Sequence, residues 1–155
     1  MRISARADYA VRAATELAAA GADGHARTTE AISQAQGISR KFLEGILVDL
    51  REAGLVVGQR GAGGGYRLAR DAHEISVADV VRAVDGPLVF VRGERPSDLN
   101  YDGTAQPLLA VWVALRARVR EALEGVSIAQ VATGALPDSV TAIVDDPEVW
   151  ENPPE

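Results

Sequence analysis

Residues 37–70, GISRKFLEGILVDLREAGLVVGQRGAGGGYRLAR, carry the punctuation that decides the fold. Ser39 is a good N-cap, because its hydroxyl can accept a first-turn N–H that has no helical partner. From Arg40 to about Glu52, Phe42, Leu43, Ile46, Leu47 and Leu50 recur at three-and-four spacing, which predicts a helix with one apolar stripe. Ala53-Gly54 closes it, with Gly54 placed as a left-handed C-cap. The short run Leu55-Val56-Val57 then gives way to five glycines between Gly58 and Gly65, after which Tyr66-Arg67-Leu68 resumes an extended pattern. Two short strands joined by a glycine-rich turn make a β-hairpin.

Upstream, residues 4–20 (SARADYAVRAATELAAA) predict a helix capped by Ser4, with Tyr9, Val11, Ala14, Leu17 and Ala18 on one face. Thr28 or Thr29 caps a second, short helix, TEAISQAQ, which stops at Gly37. Two helices joined by a tight glycine turn and followed by a hairpin are a helix-turn-helix with a wing. The fold class is therefore mainly α with a small β-hairpin wing. A capped helix fits Ser76 to Val84, while residues 88–106 have no steady period and read as a loop. From Pro107 to Glu124, Leu108, Trp112, Leu115, Val119 and Leu123 form a narrow seam on a long helix. A short helix from Ser127 to Thr133 follows. The chain divides into a winged helix-turn-helix DNA-binding domain (1–87), a connecting or sensor-type loop (88–106), a dimerisation helix with its short follower (107–136) and an acidic tail (137–155).

Composition narrows the chemistry. The 155 residues are 47% apolar and 25% charged, which suits a globular domain with a core. There is no cysteine, so disulfides, thiolate metal sites and a cysteine nucleophile are excluded. Only His25 and His73 offer imidazole, in separate segments, and both read as solvated loop residues. No apolar run approaches the roughly 18 residues of a membrane span, and residues 1–11 lack the apolar stretch of a signal peptide. A cytoplasmic location is expected. No nucleophile–base pair, paired-acid arrangement or ligand cluster can be assembled, so the chain does not read as an enzyme.

The net charge of −6 divides unevenly. Residues 1–70 hold ten Arg/Lys against seven Asp/Glu, and residues 71–155 hold six against fifteen. One account is an acidic, solvated tail; the other is a first half that faces an anion. The first turn of the third helix fits either account, a solvated face or a surface for DNA, and the glycine run that follows tips the balance. Ser39, Arg40, Lys41 and Glu44 stand away from the apolar stripe, where Arg and Lys can donate to guanine or phosphate and Glu can accept from cytosine. The glycine run is a poor phosphate cradle, since it lacks a Gly-Lys-Ser/Thr ending and leads into a strand. It suits a hairpin tip pressed against a duplex, with Arg60 reaching into a narrow minor groove.

These motifs, with MRISARADYAVRA before them and EISVADVVRAVDGPL after, resemble the Rrf2 family of bacterial transcription regulators. The resemblance covers about residues 2–88 and, more loosely, the helix around Trp112-Val113-Ala114-Leu115. It implies a winged helix followed by a long helix that pairs two subunits. By position it implies base-facing roles for Ser39, Arg40, Lys41 and Glu44, a minor-groove arginine in Arg60, and a wing tip of Gly63, Gly64 and Gly65. Arg2, Arg6, Tyr9 and Thr28 fall where the family's backbone contacts cluster.

The departure from the family is as informative. Many relatives hold an iron–sulfur cluster with cysteines before the long helix and a histidine at its start. Aligned on Trp112, the last cysteine and the histidine become Gln106 and Leu109. Relatives that draw ligands from the first helix would find Asp8 and Glu16 here, and no histidine. No cofactor is expected. Trp112 is expected to pack in the dimer seam; the alternatives are that Tyr101, Trp112, Arg92 and Arg95 line a pocket for a small anionic or aromatic effector, or that the signal is a partner protein. The resulting expectation is a homodimeric repressor that binds double-stranded DNA and no membrane. Its rival is a winged-helix module that docks a protein and has lost specific DNA binding.

Overall fold

The computed structural model describes residues 2–22 and 24–151. Helices α1 (Ala5–Gly21), α2 (Thr29–Gln36) and α3 (Arg40–Glu52) precede strands β1 (Val56–Gln59) and β2 (Gly65–Leu68). Helices α4 (Val77–Asp85), α5 (Leu108–Glu124), α6 (Ile128–Thr133) and α7 (Asp138–Val144) follow. Local chemistry sets most of these boundaries. Ser4, Thr28 and Ser39 each accept from the N–H three residues on, and Ser76 with Asp79 and Ser127 with Gln130 form reciprocal capping boxes. Gly37 ends α2 at φ +63° and Gly54 follows α3 at φ +71°, where a β-carbon is disfavoured.

The two strands are antiparallel, in a register running from Val56 opposite Leu68 to Gln59 opposite Gly65. A further rung joins Tyr66 to Arg27, each N–H donating to the other's carbonyl at 2.9 and 2.7 Å. The wing is thus tied to the segment that enters α2. Beneath it lies a core of Leu17, Ile32, Leu43, Ile46, Leu47, Leu50, Val56, Ile75, Val80 and Ile128.

Four features depart from the sequence reading. First, Phe42 is not in the core: it is 47% exposed and sets its ring against Tyr9 of α1 at the core's rim. Second, α6 packs on α1 with Ile128 fully buried, so it completes the winged helix instead of extending the long helix. A backbone rung explains this, since Val77 N–H donates to Val126 O and Ile128 N–H to Ile75 O at 2.9 and 2.8 Å. Third, the acidic tail contains α7 and a 3-10 turn, Pro147–Trp150, where Trp150 Nε1 donates to Val144 O at 2.7 Å. Fourth, the loop 88–106 includes two 3-10 turns, Pro96–Asp98 and Gly103–Ala105, and buries Val89, Pro96 and Leu99.

Helix α5 has no fully buried residue and packs on α4 and the Pro96–Asp98 turn. The expected seam is split across it. Trp112, Val119 and Leu123 are half-buried, together with Leu109 and Arg116, and line the face turned to their own chain. Leu108 and Leu115 lie on another stripe with Val111, all exposed, at 37, 36 and 55%. At 3.6 residues per turn all five fall within about 80° of arc, so the seam is one strip whose edge, Leu115 and Leu108, clears the packed face while Val119, Trp112 and Leu123 meet it.

Candidate nucleic-acid interface

The first turns of three helices and the hairpin tip meet on one side of the molecule. Ser39 caps α3, its hydroxyl accepting from Phe42 N at 3.3 Å, and so fixes where Arg40, Lys41 and Glu44 emerge. All four are exposed. Arg40 Nε donates to Glu44 at 3.2 Å and its guanidinium lies 3.9 Å from Glu30, on the first turn of α2. Exposed pairs of this kind are weak and exchange readily for a stronger anion. Lys41 has no hydrogen bond or ion pair among the described residues.

Thr28 is committed to its own helix, accepting from Ala31 N at 3.1 Å. Tyr9 sets its ring edge against Phe42, centroids 5.8 Å apart, and carries the Arg12 guanidinium 5.5 Å above it. Arg12 in turn donates through Nε to Gln36 Oε1 at 3.0 Å, which locks the end of α2 to α1. Arg2 is exposed in the extended segment before α1. Arg6 differs from the others, because its guanidinium is bound to Asp49 on α3. It braces the recognition helix and is not a spare cation.

The wing closes the surface. Gly61 and Gly63 take φ of +91° and +74°, and Gly65 takes +142°. A β-carbon on Gly64 would fall 2.6 Å from Gln59 O, and one on Gly65 would fall 2.3 Å from Arg27 O and 2.8 Å from Thr28 N. Gly65 therefore brings the wing against the start of α2, and Gly64 keeps its turn tight. Arg60 leaves this turn exposed, with no partner among the described residues. Sequence reasoning missed Phe42, whose exposed ring beside Lys41 can meet a thymine methyl. The available signal was its place in the first turn, directly after Arg40 and Lys41.

The other expected pocket is filled by its own side chains. Trp112 Nε1 donates to the Tyr101 hydroxyl at 3.1 Å, and Arg92 stands 5.5 Å over the Tyr101 ring. Arg95 faces a different cleft, along α4 and α5. His25 and His73, distant in sequence, both border one cavity of about 710 Å³ with Arg67 and Arg70. A thiolate-held iron–sulfur cluster does not fit the residues at the family's cluster position. Gln106 is exposed, Leu109 has no donor atom, Asp8 pairs with Arg12, and Glu16 accepts from Gln36. Among the described residues no three His, Asp or Glu side chains group as metal ligands. No helix among them is long and apolar enough to cross a membrane.

Comparison with known proteins agrees with this geometry. The Rrf2 family model, described as an iron-dependent transcriptional regulator, matches residues 3–134. An HTH-type transcriptional regulator of Mycobacterium tuberculosis is 49% identical over 152 residues, spanning 98% of this chain and 94% of its own. The HTH-type transcriptional regulator IscR of Vibrio parahaemolyticus is 33% identical over 133 residues, spanning 86% of this chain and 78% of its own. The solved structure of CymR, the global cysteine regulator of B. subtilis, superposes with a TM-score of 0.73 at 29% identity, covering 86% of this chain and 98% of that one. The chain belongs to the Rrf2 family and is a winged-helix, DNA-binding transcription regulator, not an enzyme.

Proposed function

We propose that the protein works as a homodimer on a pseudo-palindromic operator, as a cytoplasmic repressor, without a cysteine-ligated iron–sulfur cluster. The observation that carries this reading is the convergence of the first turns of α1, α2 and α3 with the wing, leaving the Lys41 and Arg60 side chains without a partner among the described residues. Ser39, Arg40, Lys41 and Glu44 face the major groove. Arg60, carried by Gly63, Gly64 and Gly65, enters the adjacent minor groove, and Arg2, Tyr9 and Thr28 approach the backbone. Two-fold symmetry then sets the recognition helices about 34–36 Å apart, or a multiple of that. The stripe of Leu108, Val111 and Leu115 supports self-association, since an exposed apolar strip of this kind favours burial. These 155 residues include no cysteine, so thiolate ligation of a cluster would require thiols from outside them.

The test is fluorescence anisotropy against DNA upstream of the protein's own gene, beside random DNA, at two salt concentrations. Tight binding that weakens steeply with salt and is lost on random DNA supports a sequence-specific regulator. Arg60→Ala should weaken specific binding by about 1–3 kcal/mol. Weak, equal binding to both DNAs, repeated across a library of genomic fragments, overturns the reading. The winged helix as a protein-docking module would then stand in its place, a role the acidic total charge favours.

A further inference from the structure

The acidic half of the chain, residues 71–155, has only six arginines and no lysine. Two are accounted for locally: Arg118 pairs with Glu121 at 2.8 Å, and Arg92 covers the Tyr101 ring. The other four, Arg82, Arg95, Arg116 and Arg120, converge on one cleft of about 420 Å³, with Pro87 and Leu88 in its wall. A cleft of this size lies within the range of small-molecule sites.

The four do not play the same part. Arg82 and Arg120 both hold Glu124, the latter through Nε at 3.0 Å and through its terminal nitrogen at 3.3 Å, and so clamp α4 to the end of α5. Asp79 reaches this clamp only loosely, 3.9 Å from Arg82, and is shared with Arg70. Arg116 and Arg95 are not needed for it. Arg116 donates to the Ser97 hydroxyl at 3.1 Å, and the Arg95 guanidinium has no hydrogen bond or ion pair among the described residues. Like charges brought this close repel, and a segment with fifteen carboxylates has the means to neutralise them, as Arg118 illustrates. Here Glu124 serves Arg82 and Arg120, and neither Arg95 nor Arg116 has a carboxylate partner among the described residues. The planar forks of Arg suit the paired oxygens of a phosphate or carboxylate.

We propose that this cleft binds a small organic dianion, a phosphate ester or a polycarboxylate, held chiefly by Arg95 and Arg116 and bordered by the Arg82–Glu124–Arg120 clamp. The site joins the end of α4, the connection 86–89, the following loop and α5. It lies off the apolar stripe of Leu108, Val111 and Leu115: at 3.6 residues per turn, Arg116 stands about 80–140° and Arg120 about 120–180° around the helix from these three. A dimer made through that stripe leaves the cleft accessible. Its occupant fixes the angle between the winged helix and the long helix, a regulatory consequence that rests on the operator-binding role proposed above.

The test is isothermal titration calorimetry of the full chain, without DNA, using pyrophosphate and citrate as probes at constant ionic strength. Saturable binding of either, at one site per chain, is expected, and the stronger probe identifies the anion's chemistry. An R95A/R116A variant should bind at least tenfold more weakly at unchanged melting temperature, while R118A binds as the parent does. No saturable binding of either probe overturns the site, as does equal binding by the parent and the double variant. Loss of the dimer in R95A/R116A, with neither probe bound by the parent, assigns the cleft to an acidic segment of a second copy and also overturns it. Operator anisotropy with and without the bound probe is a separate measurement. An unchanged operator affinity removes the regulatory link and leaves the site, whereas failure to bind any DNA removes the operator reading alone.

Discussion

Arg6 lies across Gly45 and closes on Asp49, its Nε donating to the carboxylate at 3.1 Å. Two residues from two helices make this brace, and Gly45 lies beneath it, where even a β-carbon would meet both terminal nitrogens of Arg6 at an ordinary contact distance of 3.7 Å. Both charged side chains are partly shielded, so the pair is stronger than a surface bridge. Arg6→Ala and Asp49→Ala should each cost about 1–2 kcal/mol in urea unfolding, with a double variant that loses less than the sum. Asp49→Ala also removes a negative charge near DNA and should nevertheless weaken operator binding severalfold. Tighter binding would show that the carboxylate merely repels the duplex.

The wing's glycines should differ sharply in tolerance. Gly65→Ala forces a side chain into the Arg27 carbonyl at positive φ, and a cost of about 1–3 kcal/mol is expected. Gly58→Ala meets open space at ordinary φ and should be nearly silent. Amide exchange at Arg27 and Tyr66 is the direct readout. It should quicken in Gly65→Ala and remain slow in Gly58→Ala.

Removing the α6 anchor should unfold the winged helix as a core truncation does. Ile128→Ala is expected to cost about 2–5 kcal/mol, the range for deleting a fully buried aliphatic side chain. Circular dichroism melts would check this. A cost below about 1 kcal/mol would mean that α6 lies on the winged helix without supporting it.

Leu115→Glu places a charge in the exposed stripe of α5 without touching the face packed on its own chain. Sedimentation should shift from dimer to monomer, with the monomer's secondary structure intact. A dimer that survives both Leu115→Glu and Val111→Glu would assign self-association to a different surface.

The clamp at the foot of α5 should be acid-labile in a defined sense. Hydrogen bonds from Arg120 and then Arg82 lower the Glu124 pKa from the usual glutamate range. Because the folded value is depressed, the stabilisation is complete above the unfolded pKa and fades as pH falls through the folded one. A carbon-13 NMR titration should place Glu124 below the exposed glutamates. Arg120→Ala should bring it back towards them.

Local chemistry was legible and distant pairing was not. Ser39, Ser76, Gly37 and Gly54 announce element ends because each acts on backbone within a few residues. The winged helix follows from that order of elements. Phe42 shares the spacing of Leu43 and Leu50, yet its ring stays outside the core, against Tyr9 of α1. Spacing likewise cannot divide the α5 seam, whose packed and exposed residues lie within about 80° on the helix, and proline with acidic residues concealed the turn of α7. Arg6 and Asp49 are 43 residues apart, and the four arginines of the cleft come from three separate segments. No spacing rule joins such residues before the chain has folded.

The rung between Ser76 and Ser127 has a mechanical consequence. Everything from Val77 to Val126 departs from this rung and returns to it, so α5 is a mast stepped at its C-terminal foot. Its seventeen residues rise about 25 Å at about 1.5 Å each. A tilt of about 10° at the foot would carry the masthead, near Leu108, through about 4 Å. Small adjustments at Glu124 are thereby magnified at the far end, and in the proposed dimer the spacing between the two copies would inherit the gain.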